Sequence, residues 1–123
     1  MIYEQISTYI SKHKDIIAAY SFGSSFKGKS TPLSDVDIAL LLDDQTNKHR
    51  VNEIIFNLSS RIFEISGKQA DIKILNNISD LPFIFEVLSS GKLIYETDKN
   101  IHHSYVENIL ISYQDFKPFY EIA

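Results

Sequence analysis

The sequence predicts a single α/β (α+β) domain in which one mixed sheet is flanked by helices. Three observations predict it. The chain has 123 residues, which suits one domain with a modest core. Short apolar runs bounded by turn residues alternate with longer segments whose apolar residues recur at helical spacing. No repeat, low-complexity tract or linker interrupts this order, so residues 1–123 are expected to form one unit.

The elements follow in order. Ile2, Ile6, Tyr9 and Ile10 share one helical face, which predicts a helix over 2–14. Ile16 to Phe22 is apolar with few charges and reads as a buried strand. Gly23 to Ser34 holds two Gly, one Pro, four Ser and one Thr, the composition of a loop with room for a short helical turn. Val36 to Leu42 reads as a second, central strand. Val51, Ile54, Ile55, Leu58, Ile62 and Ile65 recur at helical spacing and predict a helix over roughly 46–66, stopped by Gly67. Ala70 to Leu75 is a third strand. Leu81, Ile84, Phe85 and Leu88 form another helix face, closed by Gly91. Lys92 to Glu96 reads as an edge strand. From about Ile101 the tail is helical, with Val106, Ile109, Leu110 and Tyr113 on one side.

Composition narrows the function. Hydrophobic residues make up 44% of the chain and charged residues 23%, the balance of an ordinary globular protein. The absence of cysteine excludes disulfides and thiolate zinc sites. The N-terminus lacks the basic start and apolar run of a signal peptide, and the longest apolar run, Ile38 to Leu42, is too short to span a bilayer. A cytoplasmic protein with no membrane partner is expected. The net charge of −4 suits a phosphate backbone poorly, so no direct nucleic-acid substrate is expected.

The chemistry concentrates in Gly23 to Asp37, GSSFKGKSTPLSDVD. A Gly-Ser pair follows one strand, and Asp35-Val36-Asp37 opens the next. Residues two apart on a strand share a face, so Asp35 and Asp37 project together. Two carboxylates this close repel, and one takes up a proton or a cation sits between them. Mg²⁺ and Mn²⁺ are hard ions that oxygen ligands suit. Asp71 opens the third strand. If that strand lies beside the second, three carboxylates meet at one sheet edge and can hold metal for an in-line phosphoryl displacement. Gly23 permits close approach of backbone to a phosphate, and Ser24 offers a hydroxyl and an N–H. Asp37, inside VDIALLL, must be paired, hydrogen-bonded or metal-bound, whereas Asp35 alone could be a turn residue. The four histidines read as surface or packing residues, because the adjacent His102 and His103 diverge on a helix.

The Gly-Ser pair, the Asp-x-Asp and the later lone Asp resemble the polymerase-β-like nucleotidyltransferase superfamily, and within it the minimal nucleotidyltransferases (MNT proteins). The resemblance follows the element order over most of the chain, and its specific residues are Gly23, Ser24, Asp35, Asp37 and Asp71. It implies that Gly23 and Ser24 hold the triphosphate of ATP. It further implies that Asp35 and Asp37 bind the metals and that Asp71 completes the catalytic metal site. The family often has a small residue and Arg before the second Gly; Phe26 and Lys27 stand there here, and Lys lacks Arg's bidentate fork. Contacts of Lys27 or Ser34 with phosphate are left open.

Residues 23–30, GSSFKGKS, also match the phosphate-loop pattern GxxxxGK[ST], with Lys29 as its lysine and IALLLDD as a second acidic strand. A phosphate loop must run into a helix and cross over before that strand returns. Too few residues separate Ser30 from Asp43 for both, so this reading is disfavoured.

Larger relatives carry a further domain that grips the acceptor. By resemblance, the acceptor is then another protein: MNT antitoxins add AMP to a tyrosine of a HEPN ribonuclease toxin. The resemblance therefore implies a protein adenylyltransferase antitoxin in a hetero-oligomer with its toxin. Two alternatives stay open, a small-molecule nucleotidyltransferase and a non-enzymatic binder. The aromatic tail (Tyr113, Phe116, Phe119, Tyr120) reads equally as core or as a partner-binding patch.

Overall fold

The computed structural model describes residues 2–23 and 35–122. Its elements run α1 (Ile2–Ile10), β1 (Ile16–Phe22), β2 (Val36–Leu42), α2 (Lys48–Ser66), β3 (Ala70–Ile74), α3 (Leu81–Ser90), β4 (Lys92–Glu96) and α4 (Lys99–Ile122). The four strands form one mixed sheet in the order β3-β2-β1-β4. β1 runs antiparallel to both β2 and β4, while β2 and β3 are parallel and joined through α2. This is the expected α+β architecture. Among the described residues no helix is long and apolar enough to cross a membrane.

Alternation along β2 sorts its side chains onto the two faces. Val36, Ile38, Leu40 and Leu42 join Ile6 and Ile10 of α1 and Ile54, Leu58 and Ile62 of α2 in one core. Ala39 and Leu41 face the other way, with Ile17, Ala18 and Tyr20 of β1 and Ile84 and Val87 of α3. Each fully buried Ile or Leu contributes about 1.5–3 kcal/mol. Having both faces covered explains why β1 and β2 read as unbroken apolar runs.

Local chemistry sets the helix ends. Asn47 caps α2, its side chain accepting from the Arg50 N–H at 2.8 Å. Gly67 ends α2 at φ 72°, in the left-handed region a glycine favours. Asp80 caps α3, accepting from the Phe83 N–H at 3.1 Å. Asp98 receives the N–H groups of Asn100 and Ile101, so α4 starts two residues earlier than periodicity indicated.

Two further boundaries differ from the sequence expectation. α1 ends at Ile10 rather than residue 14, because Lys12 and His13 make tighter three-residue turns onto Tyr9 and Ile10. β3 ends at Ile74, and Leu75 begins a short 3₁₀ turn. That turn brings Asn76 to Leu42, where its amide both donates to the carbonyl and accepts from the N–H, extending the ladder with a side chain. Leu110, placed by spacing on one helix side with Ile109, is 40% exposed. Tyr113 stacks on Phe85 with centroids 4.1 Å apart, while Phe116 is exposed. The Phe119 and Tyr120 side chains lie outside the described ones.

His102 is buried, not at the surface. Its Nδ1 pairs with the Glu96 carboxylate, which leaves Nε2 to accept from the Tyr20 hydroxyl at 2.5 Å. This chain ties the first turn of α4 to β1 and β4. His103 is exposed and pairs with Glu107 at 3.3 Å.

Candidate active site

The second and third strands do lie side by side, so the Asp residues that open them become neighbours. Asp37 and Asp71 are Cα partners in the parallel β2–β3 ladder. Asp37 is also the partner of Phe22 in the antiparallel β1–β2 ladder. A row therefore crosses the sheet, Phe22 to Asp37 to Asp71, on the face away from α1 and α2. Adjacent strands lie about 4.8 Å apart, which sets the spacing of the row. Asp35, two residues before Asp37, stands exposed at the mouth of the same face.

Electrostatics marks Asp37 as the focus. Partial burial holds its carboxyl above the usual carboxylate range, and the charges of Asp71 and Asp35 push it further; Lys73 opposes them. Lys73 stands two residues after Asp71 on the same face, its Nζ 3.6 Å from Asp71 Oδ1. Alternation along ADIKI could have identified it. Among the described residues, no group of three His, Cys, Asp or Glu side chains is close enough to enclose a metal ion. The donor set nonetheless fits Mg²⁺ or Mn²⁺: hard carboxylate oxygens whose mutual repulsion a divalent cation would relieve.

Gly23 closes the site from the β1 side. Its φ is 80°, and a Cβ built there would lie 2.3 Å from Asp37 Oδ2. The backbone at the end of β1 is thus folded directly over the Asp37 carboxylate, in space that only a glycine leaves free. Nothing in the sequence signals this contact. Ser24, Lys27, Lys29 and Ser34 lie outside the described residues.

Beside Gly23 a notch of about 120 Å³ opens between β1 and α3. Phe22 and Phe83 form its walls, edge to face with centroids 5.6 Å apart and planes at 87°. Sequence reasoning missed this feature, because Phe83 approaches the site only through the packing of α3 on the sheet.

The phosphate-loop reading does not stand. It requires a crossover into a parallel strand, and β2 is the antiparallel neighbour of β1.

Residues 4–100 match the sequence profile of the family described as polymerase beta, nucleotidyltransferase. No curated protein sequence matches the chain. Among solved structures, a toxin–antitoxin complex with AMP-PNP aligns at TM-score 0.73 and 19% identity, covering 98% of this chain and 93% of the other. A mutant of the toxin–antitoxin MntA-HpeT aligns at TM-score 0.75 and 17% identity, covering 99% and 94%. A tri-AMPylated Shewanella oneidensis HEPN toxin in complex with MNT antitoxin aligns at TM-score 0.67 and 18% identity, covering 98% and 93%. At these identities the likeness speaks for the fold.

Proposed function

Since this chain belongs to the polymerase-β nucleotidyltransferase family, we propose that it is an antitoxin that transfers AMP from ATP to a tyrosine hydroxyl of a partner HEPN toxin. The observation that carries the reading is the pairing of Asp37 with Asp71 across parallel strands, with Gly23 folded against the Asp37 carboxylate. Alignment over more than nine-tenths of chains from toxin–antitoxin complexes, one with AMP-PNP and one with an AMPylated toxin, supports it.

In this reading Gly23 and Ser24 hold the β- and γ-phosphates, and Asp35, Asp37 and Asp71 hold Mg²⁺ or Mn²⁺. Bound metal would neutralise charge on the attacking and leaving oxygens. The acceptor oxygen attacks the α-phosphorus, the bond to the bridging oxygen breaks and pyrophosphate leaves. The acceptor proton passes to Asp71, whose side chain is 44% exposed and lies 3.6 Å from the Lys73 ammonium. The reacting groups would lie in the cytoplasm.

Intact mass spectrometry of proteins that co-purify with the tagged chain tests this. Wild type should yield a partner carrying AMP-sized mass increments, and Asp35→Asn/Asp37→Asn should yield the unmodified partner. If both forms retain a partner without added mass, neutralisation is by occlusion and the catalytic reading fails.

A further inference from the structure

We propose that the outer face of α2 pairs with the same face of a second copy of this chain, antiparallel about a two-fold axis between Ser59 and Ser60. The pairing does not depend on the transfer chemistry above.

The core face of α2 is Ile54, Leu58 and Ile62. The opposite face of such a helix is ordinarily polar or charged. Here it carries Phe56, 70% exposed, and Phe63, 58% exposed, the two most exposed phenylalanines among the described residues. Seven residues apart, they lie within about 20° of each other round the helix. Both stand roughly 140–160° from Leu58. Ser59 and Ser60 lie between them, and Asn52 continues the stripe one turn earlier. No Asp, Glu, Lys or Arg stands on this stripe.

Symmetry names the occupant. The order Phe56-x-x-Ser59-Ser60-x-x-Phe63 reads the same in both directions. A two-fold contact uses one patch on both partners, so the patch must complement itself. An unlike partner requires no such symmetry. An antiparallel pair centred between the serines sets Phe56 of one copy against Phe63 of the other, on both sides of the axis. The serines stand at the crossing, where small side chains let the helix axes approach to about 8–10 Å. Charge agrees. Glu53 and Glu64 border the stripe, and each is paired on its own helix, with Arg50 at 2.6 Å and Arg61 at 3.6 Å. Closure therefore brings no bare like charges together. Area sets the strength. The exposed parts of the four phenylalanines amount to about 500 Å². With the polar side chains around them the contact stays at the low end, below about 1,200 Å², which suits a reversible dimer. α2 covers the sheet face opposite the Asp37–Asp71 row, so pairing leaves both rows open.

The test is sedimentation velocity of the full chain from about 1 to about 100 μM, the range of a weak contact. Wild type should move from the monomer mass toward twice that mass and stop there. Phe56→Ser/Phe63→Ser, two exposed changes, should keep the circular dichroism of wild type and weaken self-association by about thirtyfold or more. Cross-linking supplies a second readout. The chain has no cysteine, so an introduced one reports alone. With Cα atoms about 2.3 Å from each helix axis, the two Ser60 Cα atoms of a pair lie about 5–7 Å apart, within disulfide reach. Ser60→Cys should therefore cross-link on mild oxidation, and Asn108→Cys, exposed on α4, should not. Wild type that stays monomeric throughout, a double variant that dimerises as wild type does, or equal cross-linking of the two cysteine variants overturns the inference. So does a mass that grows past two copies, because a two-fold contact closes on itself. If the double variant instead loses a protein that co-purifies with monomeric wild type, the face belongs to that partner and self-pairing is overturned.

Discussion

Replacing Gly23 by alanine should separate backbone strain from catalytic geometry. Two effects arise there. At φ 80° an L-residue is disfavoured by about 1–2 kcal/mol. The added Cβ would also fall 2.3 Å from Asp37 Oδ2, whereas ordinary contact begins near 3.4 Å, so the carboxylate must shift by roughly 1 Å. A misplacement of about 1 Å can lower a rate about a hundredfold. Gly67 supplies the control: its φ is 72°, but nothing lies within 4 Å of a Cβ built there. Gly67→Ala should therefore lose only the strain, with a melting point lower by about 3–8 °C, and Gly23→Ala should lose at least as much. Only Gly23→Ala should lose transfer, by about a hundredfold or more. The assay is calorimetric melting beside a timed mass-spectrometric readout of AMP added to the partner. Transfer by Gly23→Ala within a few-fold of Gly67→Ala would refute the claim that Gly23 seats Asp37.

Other consequences can be measured directly. Asp37 holds its proton to higher pH in the folded chain than in the unfolded one, so in the absence of metal stability should rise as pH falls through the window above the ordinary Asp value. Asp37→Asn should flatten that rise and lift the neutral-pH melting point by about 2–5 °C while abolishing transfer, as melting curves across pH would show. His102→Ala strands the Tyr20 hydroxyl and the Glu96 carboxylate and should cost about 2–4 kcal/mol in urea unfolding; a loss under 1 kcal/mol would show the buried chain to be incidental. Burial pushes Tyr20 and Tyr105 up to about 12. The folded chain then keeps two phenol protons that the unfolded chain releases near 10, so stability should fall as pH rises from 10 to 12. Ultraviolet titration should show those tyrosines ionising last or only on unfolding.

Much of the fold was legible because its signals are local. Helical spacing in α2, glycine at its end and apolar runs in β1 and β2 each reflect a periodicity of neighbouring residues. Where such a signal failed, geometry was the reason. Ile109 packs against the core while Leu110, about 100° further round the same helix, is 40% exposed, so how α4 docks on the sheet and α3, not spacing, decides which of the two is covered.

The same division runs through the site. The spacing of Asp35 and Asp37 places both on one strand face, and this the sequence determined alone, because side-chain alternation is a property of the strand itself. That Asp71 stands level with Asp37, that Gly23 folds over its carboxylate and that Phe83 closes a notch beside Phe22 were decided only by tertiary structure. Each depends on strand order, ladder register or helix docking, which bring together residues far apart in the chain, and no local pattern encodes those separations.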